Sequence, residues 1–133
     1  MYETMAVWET DATLANQSDL MADYATAWQA ADKVVYSSTL AAPRTANTLE
    51  RHFDPAAVRD LKTAARRDLL VGGPNLAAQA LDAGLVDELA LFVWPVVLGG
   101  RSPALPTDMR VELKLIEEHR FSSGVVHLRY RLL

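Results

Sequence analysis

The sequence predicts an α/β domain: a mixed sheet with a parallel centre, helices on both faces and an antiparallel hairpin at its C-terminal end. Three observations carry that expectation. Helical stretches alternate with short apolar runs between residues 18 and 97, the order that builds strand–helix–strand crossovers and parallel pairing. The run 89–98 is apolar throughout and interrupted by Pro95, as in a central strand covered on both faces. Residues 111–132 alternate around Ser122-Ser123-Gly124, the pattern of a hairpin. No repeat, low-complexity segment or linker divides the 133 residues, so one domain over 1–133 is expected.

Each element has its own signal. Residues 1–9 read as the end of a helix. Ser18 and Asp19 can cap a helix reaching Ala31, with Leu20, Met21, Tyr24, Ala27, Trp28 and Ala31 at three- and four-residue spacing. Residues 33–37 form a short buried strand centred on Val34-Val35-Tyr36. A loop follows to Phe53, with a brief extended piece at 48–51. Asp54-Pro55, an acidic cap before proline, starts a helix that buries Val58, Leu61 and Ala65 and turns Arg59, Lys62, Arg66 and Arg67 outward. Leu69-Leu70-Val71 is the next strand and runs into Gly72-Gly73-Pro74. A helix over 75–83 buries Leu76, Ala80 and Leu81 and stops at Gly84.

Composition narrows the function. The chain has no cysteine, which excludes disulfides, thiol catalysis and cysteine metal sites. Its net charge of −4, with no basic run longer than Arg66-Arg67, argues against nucleic-acid binding while leaving room for one phosphate pocket. The apolar run 89–98 is too short to cross a bilayer as a helix, so no membrane partner is expected. Glu3, Glu9 and Asp11 at the start are unlike a signal peptide, and a cytoplasmic location follows by elimination.

One arrangement has a specific chemical use. Strand, two glycines, proline and helix lets backbone approach a ligand where a Cβ would clash, beside the unpaired amides at a helix N-terminus. Pro74 removes one donor, leaving the N–H groups of Gly72, Gly73, Asn75 and Leu76 for a phosphate or pyrophosphate. The alternative is a tight strand-to-helix turn without a ligand. A second candidate is Ser37-Ser38-Thr39, at the carboxyl end of its strand, where ligands of open α/β sheets collect. The alternative there is a plain polar loop.

Four segments in order carry a family resemblance: Lys33-Val34-Val35-Tyr36-Ser37-Ser38-Thr39-Leu40, Asp68-Leu69-Leu70-Val71-Gly72-Gly73-Pro74-Asn75-Leu76, Gly84-Leu85-Val86-Asp87-Glu88-Leu89 and Pro95-Val96-Val97-Leu98-Gly99-Gly100. The chain resembles the dihydrofolate-reductase-like superfamily, in particular the C-terminal reductase domain of bacterial bifunctional riboflavin-biosynthesis deaminase/reductases and its stand-alone relatives. The resemblance implies an NADPH-dependent reductase moving hydride to a small heterocyclic or carbonyl substrate. A non-catalytic nucleotide-binding or interaction module on the same fold is the alternative.

It implies that Gly72, Gly73, Pro74, Asn75 and Leu76 receive the cofactor pyrophosphate and that Ser37, Ser38 and Thr39 face its adenosine end. Relatives often join the two glycines by a cis peptide, a geometry that costs about 3 kcal/mol outside proline. Many relatives also place Arg or Lys where Ser38 stands. NADH is therefore not excluded as cofactor unless Arg44 or another cation substitutes. Relatives carry a further N-terminal stretch, including a central strand, ahead of the point matching Met1. The chain is accordingly expected to be shortened, with unpaired sheet edges that favour a homodimer or strand exchange.

The remaining tempting residues have plainer readings. His52, His119 and His127 lack ligand spacing. Asp87-Glu88 and Asp82 read as solvated turn and helix flank, away from strand carboxyl ends. Trp8 and Trp28 fit helical packing faces. Trp94 is a candidate pocket wall, and Arg101 a candidate ligand contact or a solvated loop arginine. No catalytic residue and no metal ligand is assigned.

Overall fold

Three one-turn helices stand where a single helix end was expected: α1 (Tyr2–Met5), α2 (Val7–Thr10) and α3 (Ala12–Ala15). Asp11 makes the break between α2 and α3. It leaves the helical region at φ −117° and its carboxylate accepts the Thr13 N–H at 2.9 Å, the local bond through which aspartate competes with helix propagation. The structure is a computed structural model and describes residues 1–45, 47–100 and 103–133. It divides into two units, Met1–Asp54 and Pro55–Leu133.

In the first unit, α4 (Asp19–Ala30) begins as expected, with Ser18 Oγ accepting from the Met21 N–H at 3.2 Å. Ala25 is buried, as is Ala6. Leu20, assigned to the apolar face, is instead 79% exposed. Trp8, Tyr24 and Trp28 pack as a row, with centroids 4.8 and 6.2 Å apart, so both tryptophans serve packing.

β1 (Val34–Tyr36) then pairs in parallel with β2 (Thr48–Glu50), with Val34 opposite Thr48 and Tyr36 opposite Glu50. Among the described residues their connection contains no helix, so this parallel pair arises differently from the helical crossovers expected. The ladder extends past both strand ends: Thr48 N–H donates to Lys33 O at 3.1 Å and Ser37 N–H to Glu50 O at 2.9 Å.

The second unit opens with α5 (Pro55–Ala64). Lys62, expected on the outer face, turns inward, donating to Leu85 O at 2.7 Å and to Asp87 Oδ2 at 2.6 Å. The segment Leu69-Leu70-Val71 is not a strand: no ladder includes it, and Leu70 is 96% exposed. Its composition suits a strand, but strand geometry needs a hydrogen-bonded neighbour, and composition supplies none. α6 (Pro74–Asp82) follows, and its last turn closes through Gly84 N–H to Leu81 O at 3.0 Å and Leu85 N–H to Ala80 O at 2.9 Å.

β3 (Glu88–Val93), β4 (Leu113–Arg120) and β5 (Val126–Leu132) form an antiparallel sheet in the order β3-β5-β4. The terminal hairpin β4–β5 is as expected, turning at 121–125. β3 is not: it is an edge strand of this sheet, with Phe92 and Val93 exposed. Beyond it, Val97 and Leu98 are also exposed. A bulge interrupts β4, where the register passes from Leu115 opposite Tyr130 to Glu117 opposite Arg129. Arg129 bridges the sheet, 2.9 Å from Glu88 and 3.1 Å from Glu117.

The fold class is thus α/β as predicted, in the form of a parallel two-stranded sheet and an antiparallel three-stranded sheet. Among the described residues no helix is long and apolar enough to cross a membrane.

Candidate functional site

The glycine turn sits at the N-terminus of α6. Gly73 is its N-cap at φ 94°, a left-handed conformation that glycine adopts without steric cost and other residues do not. Pro74 occupies the first helical turn, where its missing N–H breaks no intrahelical bond. Ala77 N–H already donates to Gly73 O at 2.9 Å. The Asn75 and Leu76 amides precede Ala77, the first intrahelical donor, and so have no acceptor within the helix. The Asn75 side chain turns along the helix, its Oδ1 accepting from Gln79 at 2.9 Å.

Gly72 behaves differently from Gly73. Its φ is not positive, and a Cβ added there would meet no atom within 4 Å. Neither backbone conformation nor packing requires glycine at this position. The space a side chain would occupy at Gly72 is open. The peptide joining Gly72 and Gly73 is trans, which corrects the cis geometry expected from relatives.

The loop after β1 is organised by its own bonds and by one arginine. Ser37 Oγ accepts from the Leu40 N–H at 3.1 Å, folding the loop back on itself. Ser38 and Thr39 are exposed, and among the described residues their hydroxyls have no protein partner. Arg51, one residue past β2, donates from Nη1 to Ser37 O at 3.2 Å and to Leu40 O, and from Nη2 to Ala41 O at 3.3 Å. Parallel pairing of β1 and β2 puts both carboxyl ends together, which is how Arg51 reaches this loop.

Sequence reading missed Arg51. Pairing the extended piece at 48–51 with the strand at 33–37 would have found it. Arg44, the substitute cation considered from sequence, lies 3.7 Å from Glu3 and is an exposed ion pair. Arg101 lies outside the described residues.

Near the loop, Tyr36 packs edge-on against Phe53 with ring centroids 5.7 Å apart. Burial raises the Tyr36 phenol above its usual pKa, and the charges of Glu50 and Asp54 add to the shift. Its hydroxyl is therefore neutral across the physiological range.

Other polar clusters each lie within one unit. Glu9 accepts from Trp28 Nε1 at 3.0 Å, from Thr45 Oγ1 and from Asn47 Nδ2, and lies 3.1 Å from the Lys33 ammonium. Burial alone would raise the Glu9 pKa; the hydrogen bonds from Thr45, Lys33 and Asn47 and the Lys33 charge outweigh it and hold the carboxyl below its ordinary value. Asp87 pairs with Lys62, and Glu88 with Arg129 and Arg131, so the tempting carboxylate pair is committed to ion pairs.

His119 and His127 face one another across the β4–β5 ladder and pack on Phe121 and Phe92. Among the described residues no cluster could hold a metal ion. Trp94 is exposed rather than enclosed. Two open clefts, of about 870 and 500 Å³, are lined by none of the residues of the glycine turn or the serine loop.

Comparison with known proteins gives these elements a context. Residues 4–127 match the family model of the RibD C-terminal domain. The uncharacterized protein YyaP of Bacillus subtilis (strain 168) is 40% identical over 75 residues, an alignment covering 55% of this chain. That alignment spans only 40% of the relative's length. The crystal structure of a protein from Shewanella sp. PV-4, provisionally titled a riboflavin biosynthesis protein, superposes with a TM-score of 0.67 at 16% identity, covering 92% of this chain and 78% of that one. At that identity the likeness establishes a shared fold. With nearly the whole described chain inside the family match, the protein belongs to the RibD C-terminal domain family.

Proposed function

We propose that the chain is an NADPH-binding reductase domain acting on a small heterocyclic or carbonyl substrate. The observation that carries this reading is Gly72: a glycine that neither conformation nor packing requires, set before the N-terminus of α6. A phosphate or pyrophosphate is the ligand suited to such a place, because it gains from several backbone N–H groups at once and from the positive end of the helix.

The residues present fit the cofactor that the family implies. Gly72 and Gly73 admit its pyrophosphate, and the Asn75 and Leu76 amides donate to it. In the first unit, considered by itself, Ser38 and Thr39 offer exposed hydroxyls as a separate candidate contact. When bound, the nicotinamide supplies the hydride, and the protein's part is to bind, orient and exclude water. This division of labour accounts for a glycine turn that offers only backbone amide groups. NADH is the competing cofactor, and a homodimer formed through the free edge of β3 and the apolar residues beyond it belongs to the same proposal.

The test is a titration of the chain with NADPH and NADH, followed by tryptophan quenching and energy transfer to the reduced nicotinamide. Saturable binding of NADPH is expected. No binding of either nucleotide at millimolar concentration would remove the reductase reading. Binding without turnover of any carbonyl or heterocyclic substrate would assign the chain to nucleotide binding alone.

A further inference from the structure

We propose that two copies of the chain pair edge to edge through β3, antiparallel, about a two-fold axis at Ala90. The inference rests on the homodimer of the reading above and adds to it the register in which the copies meet.

The phase of the β3–β5 ladder carries the argument. Leu132 N–H donates to Asp87 O at 3.0 Å, and Glu88 lies opposite Arg131, so Asp87 and Leu132 form a hydrogen-bonded pair. Such pairs alternate with non-hydrogen-bonded ones along an antiparallel ladder. Leu89, Leu91 and Val93 therefore turn their N–H and C=O groups toward β5, and Glu88, Ala90 and Phe92 turn theirs outward. β3 ends its sheet, and among the described residues no backbone bond reaches these three from outside that sheet. All three are exposed, while Leu89 and Leu91 are half-buried.

The two edges of this sheet are not alike. β4 is broken by its bulge and carries Lys114, Glu117, Glu118 and Arg120, features that keep an edge from pairing. β3 has no bulge, lysine or proline between Glu88 and Val93, so its edge is regular and open. Pro95 follows without a donor and limits the usable edge to these residues.

A second β3 fits this edge better than an arbitrary strand. The outward groups are symmetric about Ala90, so an antiparallel copy turned about that residue pairs every one of them. Ala90 meets the partner's Ala90, and Glu88 meets the partner's Phe92. A shift to either side leaves Glu88 or Phe92 without a partner. The same register sets Leu89 opposite the partner's Leu91, so the apolar face of the sheet continues across the axis. Glu88 enters the contact with its charge already paired by Arg129 and Arg131. Such a contact is self-complementary, and one sequence supplies both halves.

Cysteine cross-linking tests the register, because the chain has no cysteine of its own. Ala90→Cys, Glu88→Cys and Phe92→Cys are each oxidised under native conditions and resolved by non-reducing electrophoresis. In the proposed register the two copies of position 90 lie about 5.5 Å apart at Cα, within disulfide reach. The two copies of position 88, like those of 92, lie about 13 Å apart, beyond it. Ala90→Cys should cross-link at least ~10-fold faster than either, and a mixture of Glu88→Cys with Phe92→Cys should cross-link to each other. Ala90→Pro removes an outward N–H and no bond to β5. It should keep the wild-type circular dichroism spectrum and weaken the dimer at least ~10-fold in sedimentation equilibrium.

Faster cross-linking at 88 or 92 would overturn the register while leaving a dimer. A folded Ala90→Pro that dimerises like wild type would overturn pairing through this edge. A wild-type chain that stays monomeric, with no cross-link at any of the three positions, would remove the homodimer from the reading above. The nucleotide part of that reading stands or falls separately, by its own titration.

Discussion

The Lys33 ammonium lies 3.1 Å from Glu9 Oε1, and these side chains are only 16% and 9% exposed. Lys33 also donates to Trp28 O and Ala31 O, both at 2.6 Å. The pair thereby ties α2, the end of α4 and the start of β1. Because hydrogen bonds from Thr45, Lys33 and Asn47 depress the Glu9 pKa below 4.5 against the opposing effect of burial, its contribution to stability is present above the unfolded value. It is lost as pH falls through the lowered folded value. Urea midpoints of wild type and Glu9→Gln should differ clearly at neutral pH and converge as the pH falls below the lowered Glu9 value. A difference that stays constant across that range would contradict this linkage.

The two glycines of the turn should separate when mutated. Gly73→Ala places a Cβ on a residue at φ 94° and should cost roughly 1–2 kcal/mol of unfolding free energy. Gly72→Ala meets no protein atom, so stability should stay within about 0.5 kcal/mol of wild type. Nucleotide affinity should nevertheless fall in Gly72→Ala, because the added methyl enters the space proposed for the ligand. Thermal unfolding and nucleotide titration of these variants read both effects. Unchanged affinity in a stable Gly72→Ala would count against a ligand at this turn.

Lys62 should matter more than its ion-pair partner. Its bond to Leu85 O anchors α5 to the start of the strand segment, whereas the Asp87 side chain is 79% exposed. Lys62→Met should destabilise by roughly 1–2 kcal/mol, since it leaves a carbonyl short of a charged donor. Asp87→Asn should cost less than about 0.5 kcal/mol, as exposed pairs do. Chemical denaturation gives both numbers, and equal effects would place the interaction in the ion pair instead.

Self-association is the expected fate of the apolar surface beyond β3. Val97 is 97% exposed and Leu98 87%. Sedimentation equilibrium should show a concentration-dependent dimer, and Val97→Lys with Leu98→Lys should weaken it at least ~10-fold by placing charge in an apolar contact. A monomer at every concentration would remove the dimer from the proposal.

What the sequence made legible was local. Ser18 capped the helix it was expected to cap, Pro55 and Pro74 opened helices, and the Ser122-Ser123-Gly124 turn formed its hairpin. These depend on neighbours within a few residues, which composition and spacing report well. Pairing was less legible. Leu69-Leu70-Val71 has strand composition without a ladder, and the apolar run 89–98 became an edge strand followed by exposed residues. Which strands meet is decided by distant residues, so apolar character alone could not separate centre from edge. The same gap hid Arg51, whose role exists only once β2 lies beside β1.

The bulge in β4 gives the terminal hairpin an uneven tolerance to changes in length. Ile116 is the extra residue between Leu115 opposite Tyr130 and Glu117 opposite Arg129. Deleting it would leave every cross-strand partner in place and yield a straighter strand. Deleting Lys114 or Glu118 instead would send each side chain on one flank to the opposite face of the sheet. Length variation among relatives in this hairpin should therefore fall at position 116, where the ladder can lose a residue without losing its phase.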